Sequence, residues 1–279
     1  MRRFGADYLR YTRRGMWSDG DRGALAGLDL PNRERVLDAG CGTGALTRVL
    51  AEETPGVVLG VDADRRLLRA AGNEPAGDRA AGEGAPPDWA RVAGDATRLP
   101  VRAGGVDLVV CQALLSNLPA PAAAVREFAR ASSGLVAAIE PDNAAVAVSS
   151  TVEREADLEA RARRAYLEGL RTDAALGGRV PDLFRAAGLG GVGTRQYRHE
   201  KRVEPPYDER ELADARRKAS GEGLAAHEAE LRRAPGEDYD DLRAAWREMG
   251  RAVVAAMRAG TYRRVEAVPF DVTVGRVEE

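Results

Sequence analysis

Short apolar runs alternate with amphipathic stretches through the first half of the chain. Apolar runs that predict buried strands cover residues 35–39, 57–61, 91–94, 106–111 and 134–140. Between them, apolar positions at helical spacing predict helices over residues 44–53, 64–72 and 121–131. Strands that alternate with helices in this way are typical of an α/β fold with a doubly wound, mostly parallel sheet.

The pattern changes after Pro141, where helical spacing dominates. Helices are predicted over 152–175 and 181–187, and in two or three pieces over 208–259, with a strand over about 192–203. Residues 270–277 alternate apolar and polar side chains with a period of two, which indicates a half-exposed antiparallel edge strand. Two short helices are predicted ahead of the first strand, over 5–14 and 19–28.

The most informative stretch is the first strand and the turn behind it. Apolar residues from Val36 lead to Asp38, and the chain then passes through Gly40, Gly42 and Gly44. Glycine adopts positive φ angles and lets a ligand lie against the backbone. The helix that follows presents free N–H groups and a positive dipole end. The sequence therefore predicts a nucleotide-type site at the carboxyl end of the first strand.

The acids at the strand ends help to decide between ligands. The spacing from Gly40 to Ala45 also fits the relaxed dinucleotide fingerprint G-x-G-x-x-A. Asp38, two residues before the first glycine, suits an ammonium group better than a pyrophosphate. Asp62 ends the second strand and can accept hydrogen bonds from two ribose hydroxyls, which either ligand would supply. Asp95 follows the third strand and can accept from an adenine amine.

Composition sets the broad class. The 279 residues carry a net charge of −2, with 31% charged residues of both signs interspersed, so an obligate nucleic-acid partner is not expected. The two cysteines, Cys41 and Cys111, suggest no disulfide framework and favour a reducing cytoplasm. No signal peptide and no apolar run of the ~20 residues that a membrane span needs are recognisable. The dominance of arginine over lysine points to a GC-rich prokaryotic genome.

Five motifs in a fixed order resemble the class I S-adenosylmethionine-dependent methyltransferases. They are residues 36–44, 60–64, 94–100, 106–111 and 135–141, which together span roughly 33–142. The resemblance implies a Rossmann-like fold with a seven-stranded sheet that ends in an antiparallel hairpin. It also implies S-adenosyl-L-methionine as cofactor and S-adenosyl-L-homocysteine as product.

The same resemblance assigns roles to residues. Glycines of the turn would flank the methionine part of the cofactor, Asp62 would hold the ribose, and Asp95 with the Ala96 amide would hold adenine. An N-terminal helix would cover the cofactor, with Tyr11 and Arg14 favoured as its contacts. The full set of expected cofactor residues is Asp38, Gly40, Cys41, Gly42, Gly44, Asp62, Ala63, Asp95, Ala96, Cys111, Gln112, Tyr11 and Arg14.

The acceptor site is less well defined. Residues 111–114 do not form the Asp/Asn-Pro-Pro-aromatic motif of enzymes that methylate amines of bases or glutamine. They also lack the acid that metal-dependent catechol methylases use, so no metal is expected. His199 and Glu140 are candidates for a general base, although each also has a purely structural interpretation.

The expected organisation is N-terminal helices over the cofactor site (1–32), a cofactor-binding core (33–150) and the rest of the sheet with helical insertions (151–279). The insertions, about 152–175 and 205–260, are expected to cap a small-molecule acceptor, or else only to stabilise or dimerise the domain. We expect a cytoplasmic monomer or homodimer with neither a nucleic-acid nor a membrane partner. A non-catalytic module that binds S-adenosylmethionine and an NAD(P)-dependent oxidoreductase are the alternatives.

Overall fold

The computed structural model describes residues 5–13, 15–17, 22–72, 89–170, 174 and 176–278. Its strands are β1 (Arg35–Ala39), β2 (Val57–Asp62), β3 (Ala90–Ala93), β4 (Val106–Gln112), β5 (Ser132–Pro141), β6 (Ala147–Ser150), β7 (Leu189–Val203) and β8 (Arg264–Val277). Its helices are α1 (Ala6–Arg13), α2 (Ala45–Glu53), α3 (Arg65–Gly72), α4 (Pro121–Ala131), α5 (Glu155–Gly169), α6 (Val180–Ala186), α7 (Glu209–Ser220), α8 (Glu222–Ala225), α9 (Glu228–Leu231) and α10 (Tyr239–Arg258). The helix predicted over 19–28 is a 3-10 helix over Arg22–Leu28.

The parallel strands run through the core of the sheet. Their order is β3-β2-β1-β4-β5. The first three strands follow one another outward on one side of β1, and the chain then crosses to place β4 and β5 on the other side, so the strand order reverses between β1 and β4. Leu37 of β1 pairs with Leu59 of β2 on one side and with Val109 of β4 on the other. These strands are apolar on both faces because helices cover each face of a parallel sheet. A reversal of this kind opens a crevice at the carboxyl ends of the two strands, where α/β proteins bind ligands.

An antiparallel region completes the sheet. β8 pairs with β5 from Phe270 to Arg276, and its first residues pair with β6 between Arg264 and Ala267. β7 also pairs with β8. Among the described residues the sheet has eight strands, one more than expected, because Ala147–Ser150 forms β6. This strand has four residues and alternating partial exposure, so it carries no strong apolar signal in the sequence.

An apolar cluster packs α4 and α6 against one face of the sheet. Fully buried side chains from a strand and two helices meet in it, among them Leu37, Phe128 and Phe184. Each buries an area whose removal from water contributes roughly 1.5–3 kcal/mol. This packing fixes the carboxyl ends of β1 and β4, on which the candidate site depends.

The chain divides into two compact units. The first, which we call the sheet unit, consists of Met1–Pro141, Leu176–Tyr197 and Phe270–Glu279. The second, the helical unit, consists of Asp142–Ala175 and Arg198–Pro269. The apolar core of the helical unit gathers Leu158, Leu231, Leu242, Met249 and Val253.

The insertions predicted from helical spacing are present as helices of the helical unit. α7 begins at a capping box in which Asp208 accepts from the amide of Glu211 while the Glu211 side chain accepts from the amide of Asp208. The helix predicted over 152–175 is shorter, Glu155–Gly169. That these helices cap an acceptor stays a prediction. None of the helices in the described ranges is long and apolar enough to cross a membrane.

Candidate functional site

A cavity of about 450 Å³ opens at the carboxyl ends of β1, β2, β3 and β4 and lies entirely within the sheet unit. Its size is within the range of small-molecule and cofactor sites. Helix α1 contributes Leu9 and Arg13 to its wall. Of the cofactor residues expected from the sequence, those that line the cavity are Gly40, Cys41, Gly42, Asp62, Ala63, Asp95, Ala96 and Gln112.

The glycine turn after β1 is fastened to the end of β2. Gly40 and Gly42 have φ angles of 74° and 57°, which side-chain-bearing residues rarely adopt. The amides of Gly40 and Cys41 both donate to the carbonyl of Val61, at 2.7 and 3.1 Å. The Gly42 amide donates to Asp62 Oδ2 at 2.8 Å. The turn is thus held in one conformation, with its backbone forming part of the cavity wall.

Gly44 serves packing rather than the cavity. It precedes α2 and does not line the cavity. A Cβ at Gly44 would lie 2.5 Å from the indole of Trp89, and a Cβ at Gly60 would meet the same indole at 2.5 Å. Trp89 is buried, and the guanidinium of Arg91 lies 5.2 Å from its ring centroid. The indole therefore packs against the backbone at Gly44 and Gly60.

Asp62 retains hydrogen-bonding capacity towards the cavity. Each of its oxygens accepts one backbone amide, that of Gly42 on Oδ2 and that of Asp64 on Oδ1 at 2.7 Å. Because a carboxylate oxygen can accept more than one hydrogen bond, both remain able to bind hydroxyl groups. Burial raises the pKa of Asp62, and the two amide donors act in the opposite direction.

Asp95 is exposed and follows β3, at the same edge of the sheet as Asp62. Its Oδ1 accepts from the amide and the hydroxyl of Thr97, each at 2.8 Å. These donors lower the pKa of Asp95, so the carboxylate is charged at neutral pH. The neighbouring Ala96 also lines the cavity. The arrangement leaves Asp95 Oδ2 able to accept from an amine.

Asp38 lies beneath the cavity rather than in its wall. It is buried, and its Oδ2 accepts from the hydroxyl of Thr47 at 2.6 Å. Burial raises the pKa of Asp38 from 3.8 to about 7, while Thr47 and the charge of Arg13 act in the opposite direction. Direct contact between Asp38 and a ligand, as expected from the sequence, is therefore not supported by the lining of the cavity.

The N-terminal helix brings Arg13 to the cavity. Leu9 and Arg13 share one face of α1 because they are four residues apart. Arg13 lies near Asp38 and Glu140, whose charges raise its pKa, although burial lowers it more. The sequence favoured Tyr11 and Arg14 as contacts of the cofactor, but Arg14 and the side chain of Tyr11 lie outside the described residues.

The end of β4 supplies Gln112, whose amide is held on both sides. Trp17 Nε1 donates to Gln112 Oε1 at 3.4 Å, and Gln112 Nε2 donates to Met16 Sδ at 2.9 Å. Cys111, one residue earlier, is fully buried in the strand and does not line the cavity. Burial raises the pKa of the Cys111 thiol well above its ordinary value, which disfavours the thiolate form.

Glu140 fixes the loop after β4. Its carboxylate is fully buried and accepts from the amides of Leu114 and Leu115 at 2.8 Å and of Ser116 at 3.2 Å. Burial raises the pKa of Glu140, while these amides lower it. His199 is buried on β7 in the helical unit. Neither Glu140 nor His199 lines the cavity, so the geometry supports neither as a general base.

Sequence reasoning missed several residues of the cavity. Arg13 and Leu9 could have been found from their helical spacing, since they precede the turn on one face of α1. Asn117, Leu118 and Pro119 follow β4 and complete the wall on that side. Their sequence carries no motif that distinguishes them from an ordinary loop.

Comparison with known proteins gives a match to a family model and similar folds among solved structures. Residues 37–163 match the family model of a methyltransferase domain. A structure from Bacillus halodurans, named as a candidate methyltransferase, is 14% identical with a TM-score of 0.52 over 93% of this chain and 100% of that one. No curated protein matches the sequence.

Two further structures are similar at lower TM-scores. A candidate sarcosine dimethylglycine methyltransferase from Galdieria sulphuraria is 14% identical, with a TM-score of 0.47 over 98% of this chain and 87% of that one. The magnesium protoporphyrin IX methyltransferase of Synechocystis PCC 6803, with bound S-adenosylmethionine, is 22% identical, with a TM-score of 0.37 over 47% and 60%.

The fold and the cavity define a Rossmann-like protein with a nucleotide-type site at the switch between β1 and β4. Residues 37–163 form a methyltransferase domain, and the protein is an S-adenosylmethionine-dependent methyltransferase with S-adenosylmethionine as cofactor. Of the functions that the sequence left open, the family match selects methyl transfer over nicotinamide-dependent oxidation.

Proposed function

We propose that the protein methylates a small molecule that enters the same cavity as the cofactor. The observation that carries this proposal is the composition of the wall after β4. Leu114, Leu118 and Pro119 form an apolar surface there, in the cavity that also contains Asp62 and Asp95. A recess of this kind suits a compact acceptor, because it can surround the reacting atom and exclude water.

The residues that line the cavity can be matched to successive parts of the cofactor. The Asp62 carboxylate would accept the two ribose hydroxyls, and Asp95 with the Ala96 amide would hold adenine. The backbone of the Gly40–Gly42 turn would lie against the methionine part. The guanidinium of Arg13 would pair with the methionine carboxylate, the role that the sequence had suggested for Arg14.

When bound, the cofactor would supply a methyl carbon that is activated for displacement by the positively charged sulfur attached to it. The protein's part is to orient the cofactor and the acceptor and to enclose them in the cavity. Glu140 holds the loop that carries Leu114 and Leu115, and the Trp17 and Met16 contacts hold Gln112. A wall held in this way can keep the acceptor in a reactive orientation.

Calorimetric titration with S-adenosylhomocysteine tests the cofactor site. In Asp62→Ala the Kd is expected to rise about thirtyfold, since losing hydrogen bonds to a charged acceptor costs about 2 kcal/mol. Asp182→Ala is the matched control, because Asp182 is an exposed acid on α6 that does not line the cavity. Equal affinity in wild type and Asp62→Ala would refute the assignment of Asp62.

The acceptor class needs a separate assay. S-adenosylhomocysteine release is measured with pools of small molecules, and transfer of a labelled methyl group is measured with protein and RNA pools. Release with a small-molecule pool alone supports the proposal. Label that enters only protein or RNA would refute it, even if the cofactor binds as expected.

A further inference from the structure

Helix α1 forms the part of the cavity wall that precedes β1 in the chain. Leu9 and Arg13 line the cavity. Leu9 lies directly on the glycine turn, because a Cβ at Gly42 would come within 3.2 Å of Leu9 Cδ1. The helix has eight residues, and all of its described side chains keep some exposure to solvent. A helix of this length is marginal on its own, so its order depends on what it packs against.

The residues Met16 and Trp17, which follow α1 closely, are held firmly in the sheet unit. Met16 is fully buried, and Trp17 is 8% exposed. The Met16 carbonyl accepts from the hydroxyl of Tyr197 at 3.1 Å, and the Trp17 indole stacks on the Tyr197 ring with 6.0 Å between centroids. Both residues also contact the Gln112 amide. We call Met16 and Trp17 the anchor, since they tie the N-terminal segment to β4 and β7.

A single turn joins α1 to the anchor. The Met16 amide donates to the Arg13 carbonyl at 3.1 Å, which closes a four-residue turn with Gly15 in its third position. Gly15 has a φ of 70°, in the left-handed region that glycine favours. It is exposed, and among the described residues no heavy atom lies within 4 Å of the position that a Cβ would take. This glycine therefore serves the backbone conformation of the turn rather than a packing contact.

We propose that α1 is a gate of the cofactor cavity, which opens and closes about the turn at Gly15 while the anchor stays in place. When α1 is closed, Leu9 and Arg13 complete the wall. When it is open, the cofactor can enter and the product can leave past the glycine turn. An exposed helix one turn away from a buried anchor carries this inference, because elements that move are those of low local stability. The inference rests on the proposed function, which places the methionine part of the cofactor at the glycine turn.

Hydrogen exchange measured by NMR tests whether α1 opens. In the protein without ligand, amides of α1 are expected to exchange at least about tenfold faster than those of β4. Saturating S-adenosylhomocysteine should slow exchange in α1 about tenfold, because the bound product favours the closed position of Leu9 and Arg13. The Trp17 indole N–H donates to Gln112 and reports on the anchor. Its exchange is expected to be slow with and without S-adenosylhomocysteine.

Variants of Gly15 test the hinge without changing the cavity wall. Gly15→Ala places a Cβ at a left-handed φ, which disfavours the closed conformation, and the dissociation rate of S-adenosylhomocysteine is expected to rise about fivefold. Gly15→Asn should raise it only about twofold, since asparagine adopts this region more readily. Gly23→Ala is the matched control, because Gly23 also has open space at its Cβ position but no positive φ. Surface plasmon resonance on the immobilised whole chain measures the rates.

A static wall would give different results. Exchange in α1 that is equally slow, or equally fast, with and without S-adenosylhomocysteine would overturn the inference. Equal dissociation rates in wild type, Gly15→Ala and Gly23→Ala would also overturn it, as would faster exchange of the Trp17 indole in Gly15→Ala, since the anchor would then move with the helix. Failure of the wild type to bind S-adenosylhomocysteine would count against the proposed cofactor site itself, so the two failures are distinguishable.

Discussion

Gly60 shows how a single residue supports the cofactor turn from behind. It lies in β2, and a Cβ there would approach the Trp89 indole to 2.5 Å and the Cys41 sulfur to 3.0 Å. We expect Gly60→Ala to lower the free energy of unfolding by about 1–3 kcal/mol, the usual cost of overpacking. Urea denaturation measures this change.

Gly193→Ala is the control for Gly60→Ala, because Gly193 is also in a strand and has open space where a Cβ would be. Adding Trp89→Leu to Gly60→Ala should recover part of the loss, since it removes the clashing ring. Equal stability of Gly60→Ala and Gly193→Ala would show that the indole gives way without cost.

The buried carboxyl of Asp38 predicts a pH dependence of stability. Burial raises the pKa of Asp38 from 3.8 to about 7, so the folded protein binds a proton that the unfolded chain releases between those values. Stability due to this group therefore falls as the pH rises from about 4 to about 7, by at most about 1.4 kcal/mol per pH unit. It is constant above that range.

Asp38→Asn isolates this effect, because the amide oxygen can still accept from Thr47 and does not titrate. We expect the unfolding free energy of the wild type, relative to that of the variant, to fall as the pH is raised from 5 to about 7. From there to pH 8 it should stay constant. A difference that is flat, or that moves in favour of the wild type, would contradict the raised pKa.

The sequence predicted the residues whose roles depend on motif position. Asp62 and Asp95 could be placed at the cavity because each ends a strand or follows one, and the carboxyl ends of parallel strands share an edge. Asn117 could not be predicted as a residue of the cavity wall, since no motif distinguishes the loop after β4 from an ordinary loop. Arg13 lines the cavity and was not predicted, whereas the favoured Arg14 lies outside the described residues.

The loop after β4 depends on one side chain from the neighbouring strand. Glu140→Gln replaces one acceptor oxygen with an NH₂ group that faces backbone amides of Leu114–Ser116. We expect a loss of about 3 kcal/mol in unfolding free energy and weaker S-adenosylhomocysteine binding, because these bonds are made to a buried charged group. Thermal denaturation and calorimetry measure the two effects.

Glu153→Gln is the matched control for Glu140→Gln, since Glu153 is exposed. The same pair also tests the alternative role of Glu140. A variant with wild-type stability and cofactor affinity but no turnover would indicate a base rather than an anchor for the loop.

Elements with a strong periodic signal were predicted well. β1 and α4 have the predicted bounds, and β2 and β4 differ by one residue, because buried parallel strands appear as uninterrupted apolar runs. β8 begins at Arg264 rather than at 270, since its first residues pair with β6, which the sequence did not indicate. The prediction that residues 270–277 form a half-exposed edge strand is wrong: β8 pairs with β5, β6 and β7, and its residues from Pro269 to Thr273 are buried. Which neighbours an antiparallel strand acquires depends on tertiary pairing, which its own alternation does not encode.

A buried ionic cluster stabilises the helical unit. Glu155 is fully buried; it accepts from Lys218 Nζ and, at 2.9 Å, from the Tyr262 hydroxyl. Lys218 also binds Glu159 at 2.6 Å, and Arg264 binds Glu159 at 2.5 Å. Lys218→Met would leave Glu155 without its ammonium partner, and we expect it to lower the free energy of unfolding by about 3 kcal/mol.

Amide hydrogen exchange is expected to show this loss in α5, α7 and α10, while S-adenosylhomocysteine affinity is unchanged. The reason is that every residue lining the cavity belongs to the sheet unit. Glu155→Gln added to Lys218→Met should restore part of the stability, because it removes the unpaired charge. Loss of cofactor binding without any loss of protection would contradict this separation.

The division into units also governs how such a protein can be inherited or recombined. The chain passes from one unit to the other four times, and two of these crossings lie within β7 and β8. A single genetic crossover therefore cannot separate the two units, because wherever it falls it divides at least the sheet unit. A chimaera with another enzyme's helical unit would need segments 142–175 and 198–269 exchanged together, with strand register matched at β7 and β8. Exchange of one unit thus requires four simultaneous junctions, which favours inheritance of the two units together.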